Sequence, residues 1–192
     1  MKVILLAGAL SLTAVSALAA PVTYKVDPAH TYPSFEADHN GGVSKWRGKF
    51  NSSSGTFTLD KDGKAGAVDL TIDIASLDFG NDKLNEHALK DPAMFDVAKY
   101  PTATYKGKLA KWGASGPTEV VGELTLHGVT KPVTLKINSF LCKENPMTKK
   151  EVCGADAETT FNRADFGVDY AIKNGFKPDV TLRISVEGSP AA

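Results

Sequence analysis

The chain has 192 residues, with 22 Lys and Arg against 22 Asp and Glu, so its formal net charge is zero. That balance excludes a broadly basic nucleic-acid binder, which needs a Lys/Arg excess to neutralise phosphates, and an acidic disordered chain. Two cysteines exclude a Cys-rich scaffold and a four-thiolate zinc site.

The N-terminus opens on Met1-Lys2, continues apolar or small over residues 3–18, and ends in Ala17-Leu18-Ala19. This pattern predicts a cleaved secretory signal peptide over residues 1–19 and one domain over residues 20–192. The apolar run is short for a membrane span of ~20 residues. An exported domain meets oxidising conditions, so Cys142 and Cys153 are expected to form a disulfide across a short loop. They lack the C-x-x-C spacing of a redox-active pair.

Period-two alternation then dominates, and each run reads as a strand with one buried face. Phe35, Ala37 and His39 share a face. So do Trp46, Gly48 and Phe50, then Gly55, Phe57 and Leu59, then Val68, Leu70, Ile72 and Ile74. The pattern resumes with Ala103, Tyr105, Gly107 and Leu109, with Val120, Gly122, Leu124 and Leu126, and with Val133, Leu135 and Ile137. Val180, Leu182, Ile184 and Val186 close the chain. Short turns such as Asn40-Gly41-Gly42 and His127-Gly128 link these runs at hairpin distances, so the sheet should be mainly antiparallel. Single-faced strands must bury that face in two packed sheets or in a closed barrel. An eight-stranded barrel is just wide enough for a filled core or one small ligand, and composition does not choose between them.

Residues 81–90 break the alternation with helical chemistry. Asp82 is placed to cap the N-terminus, and Leu84, His87 and Ala88 share one face. Asp91-Pro92 ends the helix, and Met94 and Phe95 follow as an apolar plug. Residues 165–176 show no clear period.

Catalytic signatures are missing: there is no G-x-S-x-G, H-E-x-x-H, P-loop or G-x-G-x-x-G. His30, His39, His87 and His127 show no metal-ligand spacing, so neither a metal nor a catalytic constellation is expected. Arg163 shares strand parity with Phe161 and Thr159, which turns a guanidinium towards the apolar side. A buried arginine needs an anion or several acceptors, and the two readings are a structural ion pair, with Asp165 or Asp169, and a contact for a ligand's polar head.

Three blocks carry a resemblance. They are Leu84-Asn85-Glu86-His87-Ala88-Leu89 through Met94-Phe95-Asp96-Val97 to Tyr100-Pro101, then Gly122-Glu123-Leu124-Thr125-Leu126-His127-Gly128-Val129-Thr130-Lys131-Pro132-Val133, then Arg163-Ala164-Asp165-Phe166-Gly167-Val168. With Val26-Asp27-Pro28-Ala29-His30 and the Phe35 to His39 strand, the chain resembles the YceI family of bacterial periplasmic proteins. The resemblance implies an all-β, antiparallel, eight-stranded lipocalin-like barrel with a short helical insertion around residues 81–95. It also implies a periplasmic protein holding a polyisoprenoid, an isoprenoid quinone or a similar amphiphile in an apolar tunnel, with no other cofactor and no enzymatic role.

Parity and motif position together assign the tunnel lining to Phe35, Trp46, Phe50, Val68, Leu70, Ile72, Leu84, Phe95, Leu124 and Leu126. His39, His87 and Arg163 are the head-group candidates. The reading allows a transient membrane contact for lipid exchange and a homodimer. Two alternatives stand beside it: an enzyme acting on the buried isoprenoid, and a packed structural or stress-response barrel without ligand. Many relatives carry an arginine where this chain reads Asn81-Asp82-Lys83, and the Cys142/Cys153 hairpin is not general in the family.

Overall fold

The computed structural model describes residues 20–191, and the expected signal peptide lies outside the described residues. Among the described residues, eleven strands form one antiparallel sheet: β1 (Val22–Val26), β2 (Tyr32–His39), β3 (Ser44–Phe50), β4 (Ser53–Asp60), β5 (Ala65–Asp73), β6 (Leu77–Asp78), β7 (Thr102–Gly113), β8 (Gly116–Leu126), β9 (Val129–Glu144), β10 (Glu151–Asn162) and β11 (Asp179–Pro190). A helix, α1 (Asp82–Lys90), lies between β6 and β7.

The sheet closes because β11 pairs with both β1 and β2, with Lys25 opposite Ser189 and Phe35 opposite Leu182. Likewise β4 pairs with β1 while β3 pairs with β2, and β5 pairs with β4 while β6 pairs with β3. Each of these couples is one long strand broken at a bend. Eleven strands therefore make eight staves, and the barrel has the expected number.

The bends are fastened by side chains. In the first, Asp27 Oδ2 lies 2.7 Å from His30 Nδ1, and Thr31 Oγ1 accepts from the Glu187 amide at 3.2 Å. In the second, the Ser53 hydroxyl donates to the Thr31 carbonyl at 3.2 Å. Buried groups with satisfied hydrogen bonds let the backbone turn without loss.

The helix is capped one residue earlier than its sequence implies. Asn81 Oδ1, not Asp82, accepts from the Leu84 amide at 3.1 Å, leaving Asp82 in the first turn, where its charge suits the helix dipole. Only Ala88 on the helix is buried; Leu84 is half-buried and His87 exposed. Leu89, Met94, Phe95 and Val97 pack with Phe35, Phe50, Ile74 and Leu77, so the helix and its following loop cap one end of the barrel. Residues 165–176 contain the end of one tight 3-10 turn, Arg163–Phe166, and the whole of another, Ile172–Asn174.

The other end is filled. Tyr24 stacks on Phe57 at 4.9 Å, and with Leu59 and Cys153 they form a separate apolar cluster that Phe140 joins. Cys142 and Cys153 are disulfide-bonded and face each other in register across β9 and β10. On the outer surface, charges alternate across neighbouring staves: Arg47–Glu36 at 3.1 Å, Arg183–Glu36 at 3.6 Å, Arg183–Glu158 at 3.4 Å and Lys136–Glu158 at 3.4 Å. Exposed pairs are individually weak, but this row joins β3, β2, β11, β10 and β9 in their observed register.

Candidate functional site

The inward faces of the staves do not meet. Glycine and alanine at inward positions, such as Ala37, Ala103, Ala155 and Ala157, leave space that larger side chains would fill. Two cavities result. Both are bounded by Pro33, Ile72, Leu124 and Leu182. These four residues form a waist between two adjoining lobes inside the barrel.

The lobes differ in chemistry. The lobe at the filled end is walled by Phe57, Val68, Leu70, Val120, Leu135, Ile137, Phe140 and their apolar neighbours. Its one hydroxyl-bearing residue, Tyr105, donates to the Val133 carbonyl at 2.9 Å, and burial pushes its phenol well above the ordinary range. It offers a ligand nothing but apolar surface. The lobe beneath the helix is walled by Phe35, Trp46, Phe50, Phe79, Met94, Phe95 and Phe161, and it also carries Asp38, Arg163 and Tyr170. It opens where the lining passes to half-exposed Asp38, Trp46, Phe79, Tyr170 and Phe176.

Arg163 is 9% exposed. Its guanidinium donates to the Val168 carbonyl at 2.9 Å and to the Tyr170 carbonyl at 2.9 Å. The sequence offered an ion pair with Asp165 or Asp169; the structure instead satisfies the arginine with backbone carbonyls, and Asp169 and Asp38 act on it only from a distance. Burial holds its proton affinity below the ordinary arginine value. Five N–H groups on a planar fork are more than two carbonyls use, and Arg163 is among the residues that line the cavity. Asp38 Oδ2 accepts from the Gly41 amide at 3.0 Å and from the Lys177 amide at 2.9 Å.

Of the ten residues assigned to the lining, Phe35, Trp46, Phe50, Phe95 and Leu126 lie on the wall of the polar lobe, Val68 and Leu70 on the apolar lobe, and Ile72 and Leu124 at the waist. Leu84 lines neither lobe, because the helix turns Ala88 and Leu89 inward instead. Among the head-group candidates, only Arg163 reaches the cavity wall. His39 stacks on Trp46 at 4.1 Å and meets the edge of Phe176 at 5.4 Å, on the rim. His87 sits outside, with Nε2 3.8 Å from Asp91 Oδ2 and its ring 5.3 Å from Tyr170. Sequence reasoning missed Asp38, Tyr170 and Phe176. Asp38 has the parity opposite to Phe35, Ala37 and His39 on β2, which strand alternation turns outward, and the other two lie in the aperiodic loop.

A closed antiparallel barrel of eight staves around a hollow apolar interior defines a lipocalin-like barrel. The chain belongs to the YceI-like family: the family's domain matches residues 24–188. A UPF0312 protein of Yersinia enterocolitica is 36% identical over 184 residues, covering 94% of this chain and 92% of the relative. Among solved structures, Burkholderia cenocepacia BcnA superposes with a TM-score of 0.69 at 24% identity, over 84% of this chain and 98% of that one. A polyisoprenoid binding domain from Saccharophagus degradans, implicated in plant cell wall breakdown, superposes with a TM-score of 0.63 at 17% identity, over 88% of this chain and 99% of that one.

Proposed function

We propose that this protein binds and carries a long-chain isoprenoid lipid, a polyisoprenoid or isoprenoid quinone, in the periplasm. The observation that carries this reading is the pair of adjoining lobes, apolar except near one end, which we read as one tunnel. Two apolar lobes side by side suit a molecule longer than either lobe would hold alone. An isoprenoid tail in the apolar lobe and across the waist gains about 25 cal/mol per Å² of apolar surface removed from water, before the costs of binding are subtracted. The head group then lies beside Arg163 and Tyr170. The description of the Saccharophagus degradans domain as polyisoprenoid-binding supports the same ligand class.

The polar groups of the cavity wall favour binding over turnover. Asp38, Arg163 and Tyr105 hold backbone groups in place, which leaves the Tyr170 hydroxyl for the head group. A general acid or base would instead be aimed at a reacting atom. The test is to purify the protein from its native compartment and analyse an organic extract by mass spectrometry. One isoprenoid lipid per barrel is the expected result, chemically unchanged after prolonged incubation. Recovery of no lipid, together with no uptake of added quinone, would overturn the reading.

A further inference from the structure

The rim of the polar lobe is built from two loops that belong together. The turn between β2 and β3 touches the segment around Gly175: a Cβ on Gly41, at φ +67°, would lie 3.2 Å from the Gly175 carbonyl oxygen. The Lys177 ammonium lies over Gly42, 3.5 Å from where its Cβ would be. Asp38 ties both loops by accepting from the Gly41 and Lys177 amides. Behind the tips stands a row of rings, Trp46 on His39 on Phe176.

This rim presents the chemistry of a bilayer interface. Val43, at the tip, is 76% exposed. An apolar side chain held that far into water by a Gly-Gly turn gains nothing from the fold. Residues 40–47 contain Lys45 and Arg47 and no acid, and residues 171–178 contain Lys173 and Lys177 and no acid; of the acids at their margins, Asp38, Asp169 and Asp179, Asp38 is held by the Gly41 and Lys177 amides. Lys45 and Arg47 lean on Glu36. Lys173 and Lys177 are exposed and have no ion-pair partner among the described residues. Amphipathic rings at a water-lipid boundary, an apolar side chain ahead of them and lysines beside them are the features that hold a protein on an anionic membrane surface.

We propose that this rim docks the barrel onto an anionic lipid bilayer. Val43 enters the interface, Lys173 and Lys177 meet the headgroups, and the open end of the tunnel faces the membrane. The proposal rests on the lipid-carrier reading and adds the surface through which the ligand passes.

Flotation of the purified protein with phosphatidylglycerol-containing vesicles and with pure phosphatidylcholine vesicles tests it. Binding should favour the anionic vesicles by about tenfold or more at low salt and weaken as salt rises. The charge reversal Lys173→Glu with Lys177→Glu should reduce binding by about tenfold or more, and Val43→Asp should also weaken it. Met147→Asp, a change of a residue 90% exposed on the β9–β10 turn at the filled end, should leave binding intact. Circular dichroism identifies any variant that has lost its fold. Equal binding to both vesicle types, unaltered binding by the folded rim variants, or loss with Met147→Asp would each overturn the proposal. Quinone uptake measured without vesicles separates the two readings. If uptake fails while the rim variants still abolish docking, the carrier reading falls and the docking surface stands. If uptake persists while docking is absent, the docking surface falls alone.

Discussion

Glu151 links the filled end of the barrel to pH. Its carboxylate accepts from the Lys61 ammonium at 2.8 Å and from the Tyr24 hydroxyl, and Tyr24 is fully buried in the apolar cluster at that end. The Lys61 hydrogen bond, then that of Tyr24, holds the Glu151 carboxyl below its ordinary value of 4.5. A depressed carboxyl contributes stability that is fully present above the unfolded value and is lost as pH falls through the folded one. In urea unfolding, the parent should therefore exceed Glu151→Gln by a constant margin above about pH 5, and the margin should shrink below about pH 4. The side chain is 39% exposed, so solvent screening keeps the margin under about 1 kcal/mol. A margin independent of pH would show that the carboxylate does not act through its charge. At this scale the sequence is most informative where parity decides: the eight assigned residues on strands, from Phe35 to Leu126, lie on the cavity walls. It is least informative for Arg163, whose acceptors are the carbonyls of Val168 and Tyr170. Backbone groups leave no signature in residue identity, whereas Asp165 and Asp169 draw attention to an ion pair that does not form.

The β9–β10 hairpin shows why elements were harder to read than faces. Strand β10 was legible only near Phe161, because its inward residues nearer the turn are Ala155 and Ala157, flanked by Gly154. Small residues carry little hydrophobic contrast, so the alternation fades where the barrel needs room. In the opposite sense, β3 and β4 read as two separate strands although Asn51-Ser52 is a bend within one stave. The expected total of eight strands was reached with β3 and β4 counted apart and β10 omitted. The disulfide of this hairpin joins residues already opposed in register, Cys142 and Cys153. Its contribution is then to constrain the unfolded chain, by about 3 kcal/mol for a loop of this size in the chain-entropy account. Reduction, or Cys142→Ser with Cys153→Ser, should lower unfolding stability in urea by about that amount while the far-ultraviolet circular dichroism of the native state is retained. Equal stability of the oxidised and reduced protein would mean that the hairpin stays closed in the unfolded chain without the bond.

For the whole molecule, the consequence of small inward residues is capacity. The barrel resembles a packed core interrupted by missing volume: its apolar walls are continuous, but the alanines of β10 and β7 keep opposite walls apart. Length of ligand should follow from this geometry rather than from any single contact, since apolar burial is non-directional and scales with area. Ala157, on the wall of the apolar lobe and outside the polar lobe, separates the two regions. Replacing Ala157 and Ala155 with Phe should fill the apolar lobe and leave Arg163 and the rim untouched. Overpacking a tight core costs about 1–3 kcal/mol, but these rings enter open space, so the urea midpoint should stay close to that of the parent. Lipid extracted from the variant should keep the parent's head group and shift to shorter chains, read directly as the mass distribution of bound species. An unchanged chain-length distribution would show that the tail does not occupy this lobe. Loss of all lipid would mean that the apolar lobe, and not the polar end, supplies most of the affinity.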